Sequence, residues 1–265
     1  MAPEDAAVTD TMNEAAWPDS AKRPWGAVAT VGFTLLIFAV FVLVQTVLAI
    51  PYLVIKVVAA PTTDLLAATS ALEKDGLFLG LSEVVTAPAV VGVTILFAWL
   101  RKGPPLREYL ALRPVARHAI LWWLLCTVLL AGLLDVAAYI GGYPPVPDWM
   151  LDIYRSAIFL PLLLFALVAV APVLEELVFR GFLFEGLRHS RLGSAGAIVL
   201  ASLAWASIHI QYEWFYIGQI FASGLLLGAA RWSTGSLVPP ILAHALMNAT
   251  ATLQAALQAR PWSLE

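Results

Sequence analysis

The sequence has a single cysteine, Cys126. An internal disulfide and a multi-cysteine zinc site are therefore excluded. Charge is scarce too: Asp, Glu, Lys and Arg make up 12% of the 265 residues, and the formal net charge is −3. No basic cluster of the kind that holds nucleic acid is present, which excludes that partner. Strand-type alternation is missing, so a β-barrel is not expected. The HExxH spacing of soluble zincins is absent, and no internal repeat of the sort transporters carry is found.

What fills the chain instead is apolar. Hydrophobic residues make up 61% and the mean hydropathy is +0.84, too apolar for a water-soluble domain of this length. An integral membrane protein in contact with the lipid bilayer is implied. A spanning helix needs roughly 20 apolar residues. Segments at about 26 to 50, 77 to 100, 118 to 141, 157 to 187 and 194 to 211 meet or approach that length, and 214 to 231 and 237 to 257 are shorter or more polar. The expected fold is all-α, a polytopic bundle of about seven transmembrane helices (six to eight), with proline and glycine falling between segments. Residues 57 to 76, with Pro61 and four charges, read as an amphipathic helix on the membrane surface. The chain divides into a disordered acidic tail (1–25), N-terminal membrane helices (26–150) and a C-terminal membrane core (157–257).

Lysine and arginine set the orientation. With the N-terminus inside, ten fall on the cytoplasmic side: Lys22, Arg23, Arg101, Lys102, Arg107, Arg113, Arg117, Arg188, Arg191 and Arg231. Four fall on the other: Lys56, Lys74, Arg155 and Arg260. A plasma-membrane protein with a cytoplasmic N-terminus is expected.

Against this background "LEELVFRG", residues 174 to 181, stands out. A charge at mid-bilayer costs about 2.5 to 3.5 kcal/mol on insertion scales, so Glu175, Glu176 and Arg180 need a purpose. Glu176 and Arg180 are four apart on one helical face and can form an ion pair. Glu175 points about a quarter-turn away and is left free. Pro172 suits a first helical turn, and 157 to 190 would run roughly 50 Å if straight, so a break near Pro172 is expected. Glu175 would then lie near a helix N-terminus that favours a carboxylate.

Two more polar pairs follow at helical spacing: Trp205 with His209, and His244 with Asn248. Counted from the cytoplasmic ends, Glu175 lies about 20 Å deep, His209 about 22 Å, and Asn248 and His244 about 16 and 10 Å. These groups can supply a base for water and donors for an oxyanion. Alternatively, Glu175, His209 and His244 form a His₂Glu set of the kind zinc hydrolases use, so metal dependence stays open. Because the depths were measured from the cytoplasmic ends, the site is expected to open to the cytoplasm. Cys126 lies eight residues from His118, too far for a nucleophile–base pair along a helix.

The order Glu175-Glu176-x-x-x-Arg180, Trp205-x-x-x-His209, His244-x-x-x-Asn248 resembles the CAAX protease and bacteriocin-processing (Abi) family of intramembrane endopeptidases. The likeness covers about residues 157 to 255. It implies proteolysis by activated water without a cofactor, with Glu175 and His209 as the base pair and His244 and Asn248 as oxyanion stabilisers. The implied partner is a membrane-associated protein or peptide substrate, and nothing in the sequence sets an oligomeric state. Phenylalanine is common where Trp205 stands, and the exchange is expected to matter little. The competing reading is a non-catalytic scaffold or immunity protein. Glu83 and Asp135 are expected to serve interhelical hydrogen bonding, and Gly224 with Gly228 helix packing.

Overall fold

The computed structural model describes residues 23–59 and 64–259. The expectations for the tail before residue 23, for Pro61 and for Arg260 lie outside these residues. Of the tail, Trp25 is docked: its indole N–H donates to Phe97 O at 2.8 Å, beneath the Arg101 guanidinium.

Among the described residues ten helical elements follow one another and no strand occurs. They are α1 (Ala27–Ala59), α2 (Leu65–Leu72), α3 (Gly76–Leu100), α4 (Leu106–Tyr109), α5 (Arg117–Gly141), α6 (Asp148–Ser156), α7 (Leu160–Arg188), α8 (Gly193–Ser207), α9 (Trp214–Thr234) and α10 (Val238–Ala259). Helices satisfy every backbone group internally, which hydrocarbon demands. By length and composition α1, α3, α5 and α7 can each cross a membrane, and α8 is a shorter apolar helix. The protein is an all-α membrane bundle.

Two sequence expectations need correcting. Residues 57–59 belong to α1 rather than to a surface helix, and only the short α2 occupies the following stretch. Proline does not confine itself to the connections, since α1 runs through Pro51 and α3 through Pro88.

The bundle is organised around α7. Half of its apolar window is buried, against 11% in α1 and 6% in α5, so α7 is the core and those two present apolar side chains outward. It packs on α3, α8, α10 and α1, while α5 leans on α9 and α10. Helices α8 and α9 meet closely because a Cβ at Gly224 would stand 2.8 Å from Ser202 Cβ, and one at Gly228 would stand 2.8 Å from Ile198 Cγ2. The small-residue step does what its spacing suggests.

No clean break occurs at Pro172. Instead α7 widens into π-helical turns at Ala166–Val170 and Leu177–Leu183, on either side of Ala171–Glu176. Each wide turn leaves a carbonyl for another helix. The Ala171 N–H bonds to Ala166 O, bypassing Leu167 O, and Pro172 has no N–H to offer; Asn248 Nδ2 donates there at 2.8 Å. Likewise the Phe184 N–H bonds to Phe179 O, bypassing Arg180 O, which accepts from Arg231 Nε at 3.1 Å. Glu175 is consequently mid-rod and not at a free N-terminus, which corrects the dipole expectation.

The end of the bundle holding the 101–117 and 235–237 connections is closed. Tyr109 and Leu110 are fully buried there, with Tyr109 stacked on Phe182 at 5.7 Å. Leu237 N–H donates to Ala111 O at 3.0 Å and Ser236 Oγ to Arg113 O at 2.6 Å. Buried Glu185 ties α7 to α9 through Arg231 Nη2 at 2.8 Å. Gly235 makes the turn out of α9 with φ of +63°, a left-handed conformation that costs glycine nothing.

Candidate active site

The central carboxylate of α7 has two partners. Glu176 Oε1 accepts from Arg180 Nη1 at 2.8 Å, the four-residue pair that the spacing allows. The same oxygen faces His244 Nδ1 at 3.0 Å. Arg180 continues to Gly224 O at 3.2 Å and lies 4.6 Å from the Trp205 ring. Glu176 and Arg180 are fully buried, so the pairing is what makes their charges tolerable. Because ionised Glu176 can only accept, His244 Nδ1 carries a proton and Nε2 points away from it.

His244 Nε2 faces Glu175 Oε2 at 4.0 Å, beyond direct hydrogen-bond reach. A water about 2.8 Å from each would bridge them. The same Glu175 oxygen accepts the indole N–H of Trp205, and its second oxygen has no partner among the described residues. Trp205 is buried and stands edge-on to both imidazoles, 5.2 Å from His209 and 5.1 Å from His244. Phenylalanine at this position would have no N–H to give Glu175.

His209 is not on the face of α8. That helix stops at Ser207 and His209 lies in the connection beyond, where its Nδ1 bonds to Trp205 O at 2.8 Å. A carbonyl can only accept, so Nδ1 holds the proton and the Nε2 lone pair is free when the ring is neutral. Glu175 and His209 share no hydrogen bond with each other. Trp205 holds both, one by its side chain and one by its carbonyl. Asn248 spends one amide hydrogen on Leu167 O and keeps a second.

These groups line one cavity of about 300 Å³, together with Glu83, Asp135, Trp149, Tyr212, Gln219 and Gln254. Asp135 accepts from Gln254 Nε2 at 3.0 Å, the interhelical bond expected of it. Glu83 makes no such bond among the described residues and faces the cavity. Tyr212 escaped the sequence reading, although it follows His209 by three and stacks on it at 6.3 Å. Desolvation, with the Glu175 charge adding, raises its phenol above the ordinary value.

The cavity runs from Glu175 to the end of the bundle formed by α6 and the 208–213 connection, since Pro145, Val146, Met150 and Gln211 also line it. On its other side lie the buried Phe182, Leu237, Leu110 and Tyr109. The site thus lies toward the end opposite Arg101–Arg117, Arg188 and Arg231. That corrects the expectation that the site and the arginine-rich connections share a side.

Three carboxylates, two imidazoles and the amide of Asn248 thus line one cavity of the membrane bundle. Residues 157–250, the stretch that carries the three motifs, match the family model described as type II CAAX prenyl endopeptidase Rce1-like. The general activity of that family is intramembrane peptide hydrolysis. No curated protein and no solved structure matches the chain.

Proposed function

We propose that this protein is a glutamate-dependent intramembrane endopeptidase that cleaves a membrane-associated protein or peptide with an activated water. The observation that carries the reading is the seating of Glu175, held by the Trp205 N–H and 4.0 Å from His244 Nε2, where Glu176 fixes the far side of that ring. A water between Glu175 and His244 loses its proton to Glu175 as its oxygen attacks the peptide carbonyl. The developing oxyanion is met by the free amide hydrogen of Asn248 and, when protonated, by His244 Nε2–H. The C–N bond then breaks, the proton held by Glu175 passes to the departing amine, and a carboxyl end and an amino end remain. His209, with its Nε2 lone pair free, is a second base beside the same cavity.

The reading is metal-free. Zinc would call on Glu175, His209 and His244, but among the described residues no three such side chains converge as a ligand set. The test is a single turnover of the purified protein on a quenched peptide library in labelled water, with hydroxylamine and a chelator added in separate arms. Direct attack puts the label in the new carboxyl group, gives no hydroxamate and survives chelation. A hydroxamate product would reveal an acyl-enzyme and overturn the mechanism; loss of activity on chelation, restored by zinc, would overturn the metal-free version.

A further inference from the structure

Resting on the protease reading, we infer that the active site is served from the non-cytoplasmic face, so that its substrates are extracytoplasmic segments of membrane proteins rather than cytoplasmic C-terminal tails. Two independent observations meet here. The first is charge: Arg101, Lys102, Arg107, Arg113, Arg117, Arg188, Arg191 and Arg231 cluster at one end of the bundle, whereas Lys56, Lys74 and Arg155 lie at the other. Such an excess marks the cytoplasmic end. The second is the cavity, whose walls reach the end with few positive charges through α6 and Gln211.

Among the described residues the arginine-rich end is packed. Tyr109, Leu110, Phe182, Leu237 and the Glu185–Arg231 pair fill it with buried side chains. At the cavity end, by contrast, α6 rests on the bundle by Met150, Leu151 and Ile153 and is stapled to the start of α3 by Ser156 Oγ, which accepts from Gly76 N–H at 2.9 Å. The 208–213 connection stands beside it with Gln211 and Glu213 exposed. A chain entering here reaches Glu175 without passing through packed core.

The lining chemistry points the same way. Glu83, Asp135 and Glu175 face the cavity, and its lining residues include no lysine or arginine. A free C-terminal carboxylate would meet three acids and no cation to pair with. An internal peptide segment carries no such charge, and a basic side chain beside the scissile bond would be welcomed.

Two measurements on the full-length protein in its membrane test this. In a Cys126→Ala background, Gln211→Cys and Pro105→Cys are each exposed to a membrane-impermeant maleimide in intact cells and in inverted membrane vesicles. Labelling of Gln211→Cys in intact cells and of Pro105→Cys only in inverted vesicles is expected; the reverse pattern overturns the inference. New chain ends are then mapped by proteomics in membranes with wild-type protein and with Glu175→Gln. Ends confined to extracytoplasmic segments support it, and ends confined to cytoplasmic tails overturn it. An identical set of ends in the two membranes would count against the protease reading alone, since the labelling result stands without it.

Discussion

The indole N–H of Trp205 is bonded to the carboxylate of Glu175, and the backbone carbonyl of the same tryptophan is bonded to Nδ1 of His209. One residue of α8 thereby sets the direction of a carboxylate on α7 and the tautomer of an imidazole in the following connection. Trp205→Phe keeps the ring packing and the carbonyl but removes the side-chain donor. A hydrogen bond to a charged group contributes about 1.5 to 3 kcal/mol, so kcat/KM should fall about 10- to 100-fold while the melting temperature holds. The pH–rate profile of the variant should move as well, which a packing role would not cause. Unchanged activity and an unchanged profile would remove Trp205 from the positioning of Glu175.

Glu176 serves two partners, and the two removals should differ. Arg180→Ala strands a buried carboxylate, at a cost of about 3 to 5 kcal/mol, read as a lower melting temperature in detergent. Glu176→Gln strands Arg180 and also weakens the acceptor that orients His244, so both stability and turnover should drop. If the Glu176→Gln protein melted lower but turned over normally once folded, the Glu176–His244 bond would have no part in the chemistry.

Close packing of α8 on α9 gives a third outcome. Gly224→Ala places a methyl 2.8 Å from Ser202 Cβ and 3.2 Å from Arg180 Nη2. Overpacking of this kind costs about 1 to 3 kcal/mol. Gly218→Ala, on the same helix with nothing within 4 Å, should be nearly neutral. Equal melting temperatures for the two variants would contradict the packing assignment.

The helices were legible because hydropathy and length nearly determine them in a membrane chain: the expected 118 to 141 is observed as Arg117–Gly141 and the expected 77 to 100 as Gly76–Leu100. The Glu176–Arg180 pair was legible for the same local reason, a four-residue spacing. What local periodicity cannot carry is the choice between α and π turns in α7. That choice depends on Asn248 and Arg231 arriving from other helices to take the carbonyls of Leu167 and Arg180. The Trp205–Glu175 bond is equally non-local, thirty residues apart in sequence. Depth counting placed the polar groups at one level but held no information on which side of that level is packed shut. That was decided by the 101–117 connection folding into the bundle.

The adjacent glutamates provide the most direct test. Of the two, only Glu175 borders the cavity, and it has an oxygen without a partner among the described residues, so Glu175→Gln should fold as wild type and lose about 10²- to 10⁴-fold in hydrolysis, the range typical of a missing general base. The measurement is kcat on one reporter peptide for purified wild-type and Glu175→Gln proteins matched for melting temperature. A loss of that size with an unchanged melting temperature is the predicted result; full activity in Glu175→Gln would contradict the account.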